Sequence, residues 1–193
     1  MLKAENRRIK LGVTGGIGSG KTSVCRVFSV LGVPLFSADQ EAREIMGNDK
    51  SIMRRVNSIA GRDLYPDGSL DRMLLEKVNS LVHPVVFDHY MKWEKKQTTP
   101  YTIMEVAILF ESGASLLVDR ILTVVAPVEE RINRIIERNQ LSREQIQERI
   151  RNQWDDESRI KLSDYVIRNS DNEMIIPAVL EIHEELLNLY KQR

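Results

Sequence analysis

The sequence predicts a three-layer α/β fold: a five-stranded parallel sheet between helices, carrying a helical insert and a helical lid. The prediction rests on three features of the chain. Short apolar runs alternate with longer amphipathic stretches, the pattern of βα units. A glycine-rich stretch separates the first apolar run from the first helical one. More than sixty residues of mostly helical pattern lie between the second run and the third, too many for a simple crossover.

Taken in order, Ile9 to Thr14 reads as a buried first strand and Ser19 to Leu31 as a helix. Val33 to Ser37 is the second strand, opened by Gly32 and Pro34. Inside the insert, Pro66-Asp67-Gly68 is a turn signal. His83-Pro84 reads as a helix start, with proline at the first helical position. Tyr101 to Val106, Arg120 to Val125 and Asp164 to Ile167 are the remaining strands. Pro127 opens a helix after the fourth strand, and Ser142 with Gln145 makes the capping box of another. Asn139 and Gln140 lie between the two. Met174 to Lys191 closes the chain as a helix with Pro177 in its first turns. The expected division is a core domain over 1–40 and 100–193, with the lid at about 127–160 within it, and the insert over 41–99.

Composition bounds the function. The 193 residues carry 28 Lys and Arg against 28 Asp and Glu, so no global polyanion-binding surface is suggested. Neither nucleic acid nor membrane is expected as a partner, since no apolar run nears the ~20 residues of a membrane span. Cys25 is the single cysteine, which fits a reducing compartment. The polar start from Met1 to Arg8 lacks the apolar core of a signal peptide, and a cytoplasmic location is expected.

Gly15-Gly16-Ile17-Gly18-Ser19-Gly20-Lys21-Thr22 fits the pattern G-x-x-x-x-G-K-[ST] of a P-loop, between a strand and a helix as that motif requires. Glycines let phosphate oxygens approach successive backbone N–H groups and tolerate the positive φ that turns those groups inward. A helix opening at Gly20 and Lys21 aims its N-terminal dipole at the anion. Lys21 suits the β- and γ-phosphates of ATP, and the Thr22 hydroxyl suits Mg²⁺.

Other candidates surround the loop. Asp39, just past the second strand, stands where open α/β sheets bind ligands. It suits a base for a hydroxyl proton, a water-mediated Mg²⁺ contact, or a helix N-cap, and the residues leave these open. Glu105 and Glu111 flank the end of the third strand. They read first as exposed acids at a helix start, and next as contacts to an acceptor or metal. Arg131, Arg134 and Arg138 fall within an arc of ~60° on one helix, bordering its apolar face. With Arg143 and Arg149 on the next helix they could close over transferring phosphate oxygens, or pair with Glu129, Glu130 and Glu137 as a solvated face. Cys25 reads as a buried structural thiol, and His83 as a cap or packed side chain. An Asn-Lys-x-Asp guanine-reading motif is absent, as is an apolar strand ending in Asp-Glu. A nucleotide-gated switch or binding module is therefore the lesser alternative to a small-molecule kinase.

The motifs together resemble the dephospho-coenzyme A kinase family from Leu11 to about Asn169. The telling pieces are Gly12-Val13-Thr14 running into the P-loop, Ala38-Asp39, Asp67-Gly68-Ser69-Leu70-Asp71-Arg72, His83-Pro84 and Leu109-Phe110-Glu111. Arg138, Arg149-Ile150-Arg151-Asn152-Gln153 and Asp164-Tyr165-Val166-Ile167-Arg168-Asn169 complete the set. The resemblance implies a P-loop fold like that of nucleoside monophosphate kinases, and ATP-dependent phosphorylation of the ribose 3′-hydroxyl of dephospho-coenzyme A. It implies Asp39 as catalytic base, Arg138 as a lid arginine helped by Arg149, and Asn169 near the adenine of ATP. It puts Asp71, Arg72 and His83 in the acceptor part of the site, which makes the insert the acceptor-binding lobe, and Glu111 is taken with them as an acceptor contact. A kinase of the same architecture acting on a nucleoside monophosphate is the runner-up. The chain departs from the family pattern by holding one acid in Ser37-Ala38-Asp39 and by Ala107-Ile108 before Leu109. It also has roughly ten fewer positions between Leu70 and His83, about three helical turns. Oligomeric state is not legible.

Overall fold

The computed structural model describes residues 7–60, 72–138 and 141–193, except the side chains of residues 60 and 72–76. In chain order the elements are β1 (Ile9–Thr14), α1 (Lys21–Val30), β2 (Leu35–Ser37), α2 (Ala38–Asn48), α3 (Lys50–Ala60) and α4 (Arg72–Glu94). They continue with β3 (Tyr101–Glu105), a 3₁₀ turn (Ala114–Leu117), β4 (Arg120–Val125), α5 (Val128–Arg138), α6 (Arg143–Arg151), α7 (Asp156–Lys161), β5 (Tyr165–Arg168) and α8 (Ile175–Lys191). The described chain forms two compact units, one of residues up to Phe36 with Gln97–Arg193, the other Ser37–Lys96.

The first unit is built on a five-stranded parallel sheet in the order β2-β3-β1-β4-β5. Strands of such a sheet are covered on both faces, so they read as continuous apolar runs. Accordingly every residue of β3 is buried, and in β1 only Lys10 is not. Ile9, Leu11, Val13, Ile103, Leu122 and Val124 share one core with Val24, Cys25 and Phe28 of α1 and with Val179 and Leu186 of α8. The Phe28 and Tyr101 rings meet edge to face at 6.4 Å. β1 is central, and its pairing with β3 sets Val13 beside Glu105. The chain therefore leaves β1 at the carboxyl edge of the sheet, where ligand sites of this architecture form.

β1 and β4 have the expected bounds. β2 starts later, at Leu35, because Pro34 offers no N–H, although its carbonyl still accepts from Ile103 N at 2.9 Å. α1 starts at Lys21 because Gly20 stands at φ +90°, outside helical space. The Ser142–Gln145 capping box forms, and opens α6.

In the second unit Ile45 of α2, Ile52 of α3, and Val82, Val86 and Tyr90 of α4 are buried. Asp49 ends α2 and caps α3, its Oδ1 accepting from Ser51 N and Ile52 N at 2.8 and 3.0 Å. One expectation fails here: Pro84 does not open a helix but sits inside α4. An interior proline forfeits one backbone hydrogen bond and crowds the preceding turn. Val82, Val86 and Tyr90, spaced by four, form a buried stripe that runs through the proline, and its burial holds both flanks in one helix. The turn at 66–68 and the candidate Asp71 lie outside the described residues, as do Asn139 and Gln140. Among the described residues no helix is long and apolar enough to cross a membrane.

Candidate active site

The glycine-rich stretch forms the loop between β1 and α1. Gly15, Gly18 and Gly20 take φ of +149°, +78° and +90°. Ser19 N bonds Gly16 O at 3.1 Å, and Ser23 N bonds Gly20 O at 3.0 Å, closing the turn onto α1. Lys21 Nζ folds over the loop and donates to Gly15 O at 2.8 Å. That contact places an ammonium charge at the N-terminus of α1, where the helix dipole also favours an anion.

Glu105 closes the other side. It ends β3, is 8% exposed, and accepts a hydrogen bond from the Thr22 hydroxyl at 3.1 Å. This corrects the reading of Glu105 as an exposed helix-start acid: it is a strand residue, and parallel pairing brings its end to the loop. Burial first, then the Glu105 charge, push the Cys25 thiol well above its usual range, while Lys21 pulls the other way. Cys25 is thus the buried, unreactive thiol expected.

Three side chains from later in the chain grip the loop, and a fourth holds one of them. Asn169, following β5, donates from Nδ2 to Ser19 O at 2.8 Å while its own N–H bonds Val125 O at 2.8 Å. A Cβ at Gly20 would collide with the Asn169 amide, so glycine is required there for space as well as for φ. Gln153 Oε1 accepts from Ile17 N at 2.8 Å, and Arg131 Nε donates to Ile17 O at 2.9 Å. Arg134, one turn on, donates to Asn169 O at 2.9 Å and pairs with Glu130 and Asp171 at 3.0 and 2.6 Å.

The arginine stripe of α5 therefore divides. Arg131 is 3% exposed and Arg134 half-buried, both committed to other parts of the protein. Arg138, which ends α5, and Arg149 in α6 are exposed. Arg143 pairs with Glu129 at 2.6 Å, as the solvated-face reading has it. Glu111 starts no helix either: its Oε1 accepts from Trp154 N at 3.2 Å and lies 3.4 Å from Arg159 Nη2. Arg159 is fully buried and also pairs with Asp156 at 3.3 Å.

In the second unit Asp39 lies in the first turn of α2, one residue inside the helix, so the capping position falls to Ser37. His83 stacks on Phe87 at 5.9 Å. Burial lowers the His83 pKa, and the charge of Asp39 partly raises it again, so these two candidates share one electrostatic environment. Arg72 opens α4, and its side chain is outside the described set.

Sequence reasoning passed over Arg159 and missed the structural use of Arg131 and Gln153. For Glu105 a signal existed, an acid ending an otherwise uncharged strand. For the ties of Gln153 and Arg131 to Ile17 there was none, since they join residues 136 and 114 positions apart.

Known proteins resemble this chain over most of its length. A family model described as dephospho-CoA kinase matches residues 9–174. A Bacteroides fragilis protein of that name is 37% identical over 186 residues, spanning 90% of this chain and 91% of its own. A Fusobacterium nucleatum namesake is 36% identical over 174 residues, 84% of this chain and 90% of its own. A solved Thermus thermophilus structure, TT1252, superposes with a TM-score of 0.80 at 28% identity, over 93% of this chain and 98% of that one. With its strand-loop-helix cradle intact within the matched span, this chain belongs to the dephospho-CoA kinase family.

Proposed function

We propose that the protein transfers the γ-phosphoryl group of ATP to the 3′-hydroxyl of dephospho-coenzyme A, giving coenzyme A and ADP, the last step of coenzyme A synthesis. The observation that carries the reading is the cradle of Gly15 to Thr22, with Lys21 folded over it, in a chain whose relatives are dephospho-CoA kinases.

Phosphoryl transfer leaves the protein mainly positioning and charge stabilisation to perform. The Gly18 to Thr22 amides and the α1 dipole bind phosphate oxygens, and Lys21 exchanges its Gly15 contact for them. The Thr22 hydroxyl and the Glu105 carboxylate are hard oxygen donors 3.1 Å apart, a set that fits Mg²⁺. Bound there, Mg²⁺ would neutralise phosphate charge.

Asp39 takes the proton of the 3′-hydroxyl as its oxygen bonds to the γ-phosphorus, and the bond to the bridging oxygen of ADP breaks. Its support is the family match and its place directly after β2. Arg138 and Arg149, exposed on α5 and α6, supply charge to the transferring oxygens as helices α5 to α7 act as a lid. Asn169, fixed against Ser19, borders the adenine end. Asp71, Arg72, His83 and Glu111 serve the acceptor, and the helical insert is its lobe. The lone buried thiol supports a cytoplasmic location.

The test is ADP release by purified protein with ATP and Mg²⁺ against dephospho-coenzyme A, AMP, CMP and simple sugars. Turnover is expected with dephospho-coenzyme A above all others. Preference for a mononucleotide would replace this reading with that of a nucleoside monophosphate kinase.

A further inference from the structure

Ile17 is held by the segment that follows β4. Its side chain packs against Ile132 and Ile135 of α5 and Ile146 of α6. Its carbonyl accepts from Arg131 Nε at 2.9 Å, and its N–H donates to Gln153 Oε1 at 2.8 Å. Both peptide groups of one phosphate-loop residue are thereby turned toward α5 and α6 and away from the cradle. The guanidinium of Arg131 also lies across Gly16, where a Cβ would collide with it.

Arg131 is itself fixed. Its Nη1 meets Asp156 Oδ2 at 3.2 Å, and the other oxygen of Asp156 meets Arg159 Nη1 at 3.3 Å. Arg159 in turn reaches Glu111 at 3.4 Å. Two buried guanidinium groups thus alternate with two carboxylates, a chain running from the residues after β3 to the phosphate loop. Burial lowers the Arg131 pKa, Asp156 raises it and Arg159 lowers it further. A buried charge of this kind needs its partners in place, so its position is strongly defined. Only a planar fork supplies Nε to Ile17 and Nη1 to Asp156 at once, which a lysine cannot do.

We infer that Arg131 and Gln153 are positioning residues that latch Ile17 to helices α5 and α6 and thereby set which phosphate-loop amides face ATP. With Ile17 N–H held by Gln153, the binding set is confined to the amides from Gly18 onward. Because Arg131 lies on α5 and Gln153 just past the end of α6, the latch couples the cradle to the segment that carries Arg138 and Arg149 through one residue. This inference rests on the ATP reading above, and the test keeps the two apart.

Gln153 is half-buried, so Gln153→Met keeps the volume and removes the acceptor, while Gln153→Glu keeps an acceptor. Losing one such bond and leaving an N–H unpaired is expected to raise the KM and Kd for ATP about tenfold. The KM for dephospho-coenzyme A and the melting temperature should stay near wild type, and Gln153→Glu should recover most of the loss. Arg131→Lys should repeat the ATP effect together with a lowered melting temperature. Amide exchange at Ile17, read by NMR on the nucleotide-free full chain, should be slow in the wild type and fast in Gln153→Met. An ATP affinity unchanged in Gln153→Met would overturn the latch, as would loss of ATP and acceptor affinity in step with the melting temperature. Failure of the unaltered chain to bind ATP would defeat the functional reading instead, and Ile17 exchange would then decide the latch alone.

Discussion

The phosphate loop and the first turn of α2 each follow a strand of the same sheet, yet they are specified in opposite ways. The loop is over-determined: Asn169, Gln153, Arg131 and Glu105 all bond its residues or its first helical turn, and glycine is demanded at Gly20 by both φ and space. Asp39 stands half-buried in an ordinary helical turn, and what marks it is its charge, felt by His83. A phosphate cradle is a shape made of backbone, and shape needs many ties. A catalytic base is a single proton acceptor, and its neighbourhood need only leave it ionised. Changes in the first region should therefore disturb structure and binding, and changes in the second should disturb chemistry alone.

Lys21 is the exception inside the loop, because its side chain contributes charge rather than shape. Lys21→Ala should lower kcat/KM by about a thousandfold or more, the scale for removing one pre-organised donor to a developing charge. The melting temperature should hardly move. Steady-state turnover near wild type would dismiss the cradle as an ATP site. Asp39→Asn comes next, with kcat reduced about a hundredfold or more and ATP affinity preserved. A variant that lost stability but kept kcat would reassign Asp39 to support of the α2 helix dipole.

Gly16→Ala tests the shape side of the contrast. Its Cβ must displace the Arg131 guanidinium, which is buried and paired, so unfolding should become easier by about 1–3 kcal/mol. Denaturant titration reads this directly. A neutral result would mean that Arg131 moves aside freely, and the loop would be less constrained than its contacts indicate.

The same contrast decides what the sequence could disclose. The glycines, Lys21 and Thr22 declare a cradle because backbone geometry restricts residue type at each position, and the five strands declare themselves by apolar runs. Asp39 was marked by its place after a strand, with its role supplied by family resemblance, since a half-exposed acid has no pattern of its own. Gln153 and Arg131 were invisible as ties because they reach Ile17 across 136 and 114 positions. Local spacing showed an arginine stripe but not which member turns inward. Pro84 misled for a related reason: the local rule for proline was outweighed by the tertiary packing of Val82, Val86 and Tyr90.

The smallest expected effect sharpens the comparison from the Asp39 side. His83 has its pKa lowered from the ordinary 6.5 by burial, with the Asp39 charge opposing. The neutral ring is thus favoured in the folded state, while the unfolded chain takes up the proton near 6.5. Stability from this group is complete above that value and is lost as pH falls through the lower folded value. An NMR titration of the His83 ring should show a midpoint below 6.5, and Asp39→Asn should push it lower still. The direction of that second shift matters most, because removing a nearby negative charge can only disfavour the imidazolium. A midpoint that stayed put in Asp39→Asn would mean the carboxylate does not act on His83. The second region would then lose the one interaction that ties its acid to its histidine, and Asp39 would rest on its position after β2 alone.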